Sequence, residues 1–307
     1  MTPPLAILSG QEMKQAEILT AFLAVGAPIW LWVCLRWRRG EPIIPLARRR
    51  PVPWQGQDVL FIFLIGFLLP ITSASVVGAW VGNNGVQQAA DLKPDLSHPA
   101  EQMLRSSNLV AIAVATTMAV IVAPLVEEFF FRVLLQGWLE AVWSRKRRRR
   151  PELRAAPMSW IPIVLPAALF ALMHVRSGNV PLAPRYLLEL QLGQMAAELV
   201  ALGLAVMLLR YAARATAADL GWQAEKLRSD VKLGLWALLA VVGPLLLLQF
   251  AMIKLTSLTG INYSLDPVPL FFLALVFGVL YHRTHRLAPS LLLHMAFNAT
   301  SIALIYL

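Results

Sequence analysis

Residues 109–139 read LVAIAVATTMAVIVAPLVEEFFFRVLLQGWL, and Glu127, Glu128 and Arg132 are the charged residues in the stretch. An apolar run of roughly 20 residues crosses a ~30 Å hydrocarbon core as a helix rising ~1.5 Å per residue. The stretch is longer than that, so it predicts a transmembrane helix with length to spare and a break near Pro124. An ionisable side chain at bilayer depth costs at least a few kcal/mol. Two carboxylates and a guanidinium within one span therefore need a structural or chemical reason to be there.

The rest of the chain agrees with this reading. Of 307 residues, 58% are hydrophobic and 14% charged, with a mean hydropathy of +0.64. Soluble domains carry about 25% charged residues. Seven further apolar stretches stand at 18–35, 59–81, 157–175, 187–209, 233–253, 268–281 and 287–307. The expected fold is an all-α integral membrane protein of about eight transmembrane helices, with the active site inside the helical bundle. The 187–209 stretch contains Glu189 and Glu198, and 268–281 is short. The single cysteine, Cys34, excludes an internal disulfide and a cysteine-based metal cluster. Arg36, Arg38 and Arg39 follow the first apolar stretch, the polarity of a retained anchor with its N-terminus outside rather than of a cleaved signal.

The net charge of +10 raises the question of nucleic acid, and the placement of the cations answers it. With alternate loops assigned to one side, 36–58, 140–156, 210–232 and 282–286 hold 20 of the 27 Lys and Arg residues. That asymmetry follows the positive-inside rule. The run Arg145-Lys146-Arg147-Arg148-Arg149-Arg150 is then a cytoplasmic anchor between two spans, and the lipid bilayer, not nucleic acid, is its partner. Trp37, Trp54, Trp143 and Trp160 are expected as an interfacial belt on that side. His282 and His285 are expected as solvated loop residues, and the polar stretch 82–108, with His98, as an outer loop. The expected location is a bacterial inner membrane with basic loops cytoplasmic.

Further polar residues interrupt other spans. His174 closes LPAALFALMHV, His294 and Asn298 lie in PSLLLHMAFNAT, and Glu198 stands alone. Glu128 and Arg132 are four apart on one helical face and can pair, whereas Glu127 is ~140° from Arg132 and stays outside that pair. His294 and Asn298 share a stripe, as do Phe170 and His174. Counted from the cytoplasmic ends, Glu127, His174, His294 and Asn298 all fall about 12–21 Å deep. A carboxylate beside a histidine can take a proton from water and direct hydroxide at a carbonyl. A second imidazole and an amide suit a developing oxyanion, each such donor being worth ~10²–10³ in rate. No Ser or Cys is placed as a nucleophile. Two histidines and a glutamate could also hold Zn²⁺, but the HExxH pattern of a zincin helix is missing.

EEFFFR at 127–132, FALMH at 170–174 and HMAFN at 294–298 resemble the EExxxR, FxxxH and HxxxN motifs of the CAAX protease and bacteriocin-processing family, which includes the type II CAAX prenyl endopeptidases. The resemblance implies an intramembrane endopeptidase acting on membrane-associated proteins or peptides, prenylated CAAX-type ones included, with no cofactor. Glu127 and His174 would activate water, His294 and Asn298 would stabilise the oxyanion, and Glu128 and Arg132 would support the site. Residues 1–108 form an N-terminal two-span region with an outer loop, and 109–307 the protease-like core. The second and third motifs are unusually far apart, which implies a two-span insertion at about 187–264. Other readings of the same residues are a zinc protease, an ion- or proton-coupled transporter using Glu127, Glu128, Arg132 and Glu198 as a relay, and a non-catalytic immunity or scaffold protein.

Overall fold

The structure, a computed structural model, describes residues 10–47, 51–81, 99–150, 159–175, 184–259 and 267–306. All the regular structure among them is helical: α1 (Gly10–Arg38), α2 (Gly56–Val81), the short α3 (Pro99–Leu104), α4 (Leu109–Arg149), α5 (Ile161–Met173), α6 (Pro184–Tyr211), α7 (Leu227–Thr259), α8 (Pro267–Thr284) and α9 (Leu287–Ile305). Apolar composition dictates this outcome, since backbone in hydrocarbon must satisfy its own hydrogen bonds. Leu31, Leu60, Ile71 and Trp236 are more than half exposed on their helices. Such apolar side chains on the outside of a bundle face lipid, and the protein is an integral membrane protein.

Each of the eight predicted stretches is helical, and seven of the helices among the described residues are long and apolar enough to cross a membrane. The exception falls in 157–175, where α5 has 13 residues and rises only ~20 Å. It starts with Pro162 in its first turn and stops at His174, whose φ of −97° and ψ of 4° leave the helical region.

The predicted break at Pro124 does not occur. Helix α4 runs on for 41 residues and begins on Asn108, whose side chain caps the amides of Val110 and Ala111. It absorbs the proline through a π-helical segment, Met118–Val122, and a second π segment follows at Phe129–Gln136. The expected cytoplasmic loop 140–156 is accordingly helical as far as Arg149, which places most of the basic run on the last turns of α4.

Two other expectations are corrected. Trp54 is fully buried, its indole N–H donating to the Leu134 carbonyl at 3.1 Å, so it belongs to the core and not to an interfacial belt. His282 lies within α8, and both it and His285 are largely buried against Glu140 of α4, whose charge draws them out of solvent. The 82–108 stretch includes α3, and residues 82–98, with His98, lie outside the described residues.

The bundle is built from helix pairs: α5 with α8, α2 with α6, α7 with α9 and α1 with α7. The main core joins Phe129, Phe130, Phe131 and Leu134 of α4 to Ile62 of α2, Phe170 of α5 and Ala274 and Tyr281 of α8. A second core packs Val241 and Leu245 of α7 against Leu273, Phe277 and Leu280 of α8 and Leu293 of α9. Helices α4, α5 and α9 therefore meet beside α8.

Candidate active site

Neighbouring residues on a helix point ~100° apart, and this separates the two glutamates at 127 and 128. Glu128 points inward and is fully buried. Its Oε2 lies 3.5 Å from Arg132 Nε in the predicted i,i+4 pair, and its Oε1 lies 3.3 Å from His294 Nδ1. Glu127 stays 26% exposed and turns to the two imidazoles. Its Oε1 is 4.0 Å from His174 Nε2, and its Oε2 is 3.7 Å from His294 Nε2. One carboxylate thus faces both rings, each through a different oxygen.

The rings are held from behind. His174 Nδ1 lies 2.8 Å from the Phe170 carbonyl, which can only accept, so Nδ1 carries a proton and Nε2 is the ring nitrogen turned to Glu127. The same reasoning puts a proton on His294 Nδ1, which faces the Glu128 carboxylate. Phe277 stacks on His294 at 4.7 Å between centroids and also carries the Arg132 guanidinium at 5.7 Å from its ring centre. Phe170 lies against His174 at 4.6 Å and meets His294 edge-on at 5.9 Å. Two aromatic walls therefore fix the imidazole planes, while a quarter of Glu127 and of His174 stays open.

Asn298 sits one turn beyond His294 and has a different immediate partner. Its Nδ2 donates to the Ala119 carbonyl at 2.7 Å. Within the first π segment the Ala123 amide bonds to Met118 O, five residues back. The next carbonyl, Ala119, would take its bond from residue 124, but that residue is proline and has no N–H. Asn298 supplies the missing donor, which anchors α9 to α4 and keeps His294 level with Glu127 and Glu128. The amide has one further N–H.

The structure thus brings together Glu127, Glu128, Arg132, His174 and His294, with Asn298 adjoining on α9. Glu198 on α6 pairs with its own helix, accepting from Gln194 Nε2 at 2.9 Å. For zinc, ligand atoms ~2.0–2.1 Å from the metal in a tetrahedron would stand about 3.4 Å apart. The gaps from Glu127 to the imidazoles are wider, and no group of three His, Cys, Asp or Glu among the described residues is placed to hold a metal. As they stand, the side chains do not fit that ion.

Several contributors were not singled out from the sequence. Phe277 was hidden because an aromatic in an apolar span reads as ordinary core. Gln136 and Glu140 had a visible signal, since Glu128, Arg132, Gln136 and Glu140 recur every four residues along α4. Gln136 is fully buried and donates to Gly278 O at 2.8 Å and to Glu140 Oε1 at 3.1 Å.

Fold and site together define a class, that of helical membrane proteins with glutamate and histidine gathered inside the bundle. A family model described as type II CAAX prenyl endopeptidase Rce1-like matches residues 109–300, and the chain belongs to that family. It is therefore a membrane protease with a peptide or protein substrate in the membrane. No curated protein and no solved structure matches the chain.

Proposed function

We propose that the protein is an intramembrane endopeptidase that cleaves membrane-tethered substrates of the prenylated CAAX type with a water activated by Glu127 and His174. The observation that carries this reading is the gap of 4.0 Å between Glu127 Oε1 and His174 Nε2. It is too wide for a direct hydrogen bond and suits a water that donates one proton to each acceptor. In that position the water oxygen keeps a lone pair for the scissile carbonyl. Glu127 takes the proton as the oxygen attacks, and the tetrahedral intermediate forms with its charge on the former carbonyl oxygen. His294 and the second N–H of Asn298 stabilise that oxyanion. Glu127 then returns the proton to the leaving amine, so the enzyme ends as it began.

Glu128 and Arg132 act behind this set. Their pairing lowers the cost of burying either charge, and Glu128 orients His294 through Nδ1. Positive-inside logic puts the basic end of α4 on the cytoplasmic side of a bacterial inner membrane.

The test is cleavage of a mixed library of membrane-tethered peptides, prenylated and unprenylated, by detergent-purified wild type and by Glu127→Ala, His174→Ala and His294→Ala. All three variants are expected to fold and to lose at least ~10²-fold in rate. Cleavage at the wild-type level by Glu127→Ala would sink the mechanism. Loss of wild-type activity on chelation, restored by Zn²⁺, would replace it with a metal-bound water.

A further inference from the structure

The corner between α8 and α9 is clamped more firmly than a turn between two membrane helices requires. It consists of His285 and Arg286, and His285 is in the left-handed region, at φ +50°. On one side Glu140 of α4 reaches His282 Nδ1 at 3.0 Å and His285 Nδ1 at 3.4 Å. On the other side Asp230, in the first turn of α7, takes Arg286 in a fork. Arg286 Nε lies 2.7 and 3.0 Å from its two oxygens, and Nη2 lies 2.6 Å from Oδ1. The Asp230 side chain is 1% exposed and that of Arg286 15%. The next amide, Leu287 N, donates to Gly221 O at 3.0 Å. Gly221 is at φ +78°, and a Cβ there would stand 2.8 Å from Leu287 N, so only glycine permits this approach. Both Asp230 and Gly221 come from the stretch that separates the second and third motifs.

Arg286 immediately precedes α9, and His294 follows it by eight residues, a rise of ~12 Å. With a lever of that length, a tilt of about 5° at the corner moves His294 by ~1 Å, and a misplacement of that size can cost ~10² in rate. A planar guanidinium held by both carboxylate oxygens fixes direction as well as distance, which apolar contacts do not.

We propose that Asp230 and Arg286 are a positioning pair for His294, so that the stretch between the second and third motifs sets the angle of α9 in the reaction. The inference rests on the hydrolytic reading of the site given above.

The experiment uses the full chain carrying Cys34→Ser, with nitroxides at Leu169→Cys and Ser301→Cys to report the distance between α5 and α9. Asp230→Asn, Arg286→Met and the paired Asp230→Leu/Arg286→Met are compared for kcat, KM, Tm and the width of that distance distribution. The single variants are expected to lose ~30–100-fold in kcat, with KM changed less than about twofold, and to broaden the distribution. The paired apolar variant is expected to regain Tm, because removing both charges leaves neither unpaired, while its kcat stays low and its distribution stays broad. Recovery of kcat along with Tm in the paired variant would reduce the pair to a structural role and overturn the proposal. So would single variants that fold with wild-type kcat and an unchanged distribution. If the wild type cleaves nothing, the hydrolytic reading fails separately, and the distance distribution alone then decides whether the pair fixes α9.

Discussion

Helix α4 carries two clusters of similar composition and different character. Near its middle Glu127 faces His174 and His294, and towards its basic end Glu140 faces His282 and His285. In the second cluster the closest contact is a direct hydrogen bond of 3.0 Å, and Gln136 adds another at 3.1 Å. Its carboxylate is already engaged, and its work is to bind α4 to α8. In the first cluster the carboxylate stands 3.7–4.0 Å from its imidazoles, and a quarter of its surface is open. The comparison teaches that two histidines and a glutamate do not make a reactive site by composition. What matters is whether the carboxylate's lone pairs are already taken or are left for a water.

The largest effect should come from treating the two carboxylates alike. Glu127→Ala is expected to lower cleavage ~10³-fold with little change in Tm. Glu140→Ala should lower stability by about 1–3 kcal/mol, because Gln136 and His282 lose a buried partner, and leave cleavage within about tenfold. Rates and thermal melts that came out the other way round would break the distinction. Next in size is Arg132→Met, which leaves the buried charge of Glu128 without its guanidinium partner. It should cost roughly 3–5 kcal/mol, seen as a lower Tm and poorer yield. Adding Glu128→Gln should recover much of that Tm without restoring cleavage, since His294 then loses its carboxylate.

Asn298→Ala should lower kcat by about 10² through the loss of an oxyanion donor. It should also cost about 1–3 kcal/mol, because Ala119 O is left without its partner. A variant that lost stability and kept its full kcat would confine Asn298 to tying α9 to α4. The smallest effect is expected at Glu198, whose carboxylate is occupied by Gln194 on its own helix. Glu198→Gln should change cleavage less than about twofold. Proton flux through wild-type liposomes that this substitution abolished would favour transport over hydrolysis.

Much of this was readable in advance, for identifiable reasons. The spans follow from apolar length, and the Glu128–Arg132 pair from four-residue spacing. The partners of Glu127 could be named because ionisable residues are so rare in the apolar stretches. The continuity of α4 could not be read, because it depends on Asn298, 179 residues from the carbonyl that Pro124 leaves unbonded. Nor could Trp54 be told from an interfacial tryptophan, since its partner is a backbone carbonyl of α4. His282 and His285 looked like loop residues because the carboxylate that buries them lies on another helix.

Apolar run length and the scarcity of charge were enough to establish a helical membrane protein and to name the polar residues that converge in it. Those properties are local, and every residue carries its share of them. The spacing between Glu127 and the two imidazoles was decided by packing, as were the closure of the Glu140 cluster and the clamp on α9. Each of these depends on groups from different helices arriving within a few tenths of an ångström of one another. Only the assembled bundle specifies a distance of that kind, because burial drives the helices together without regard to which polar atoms meet.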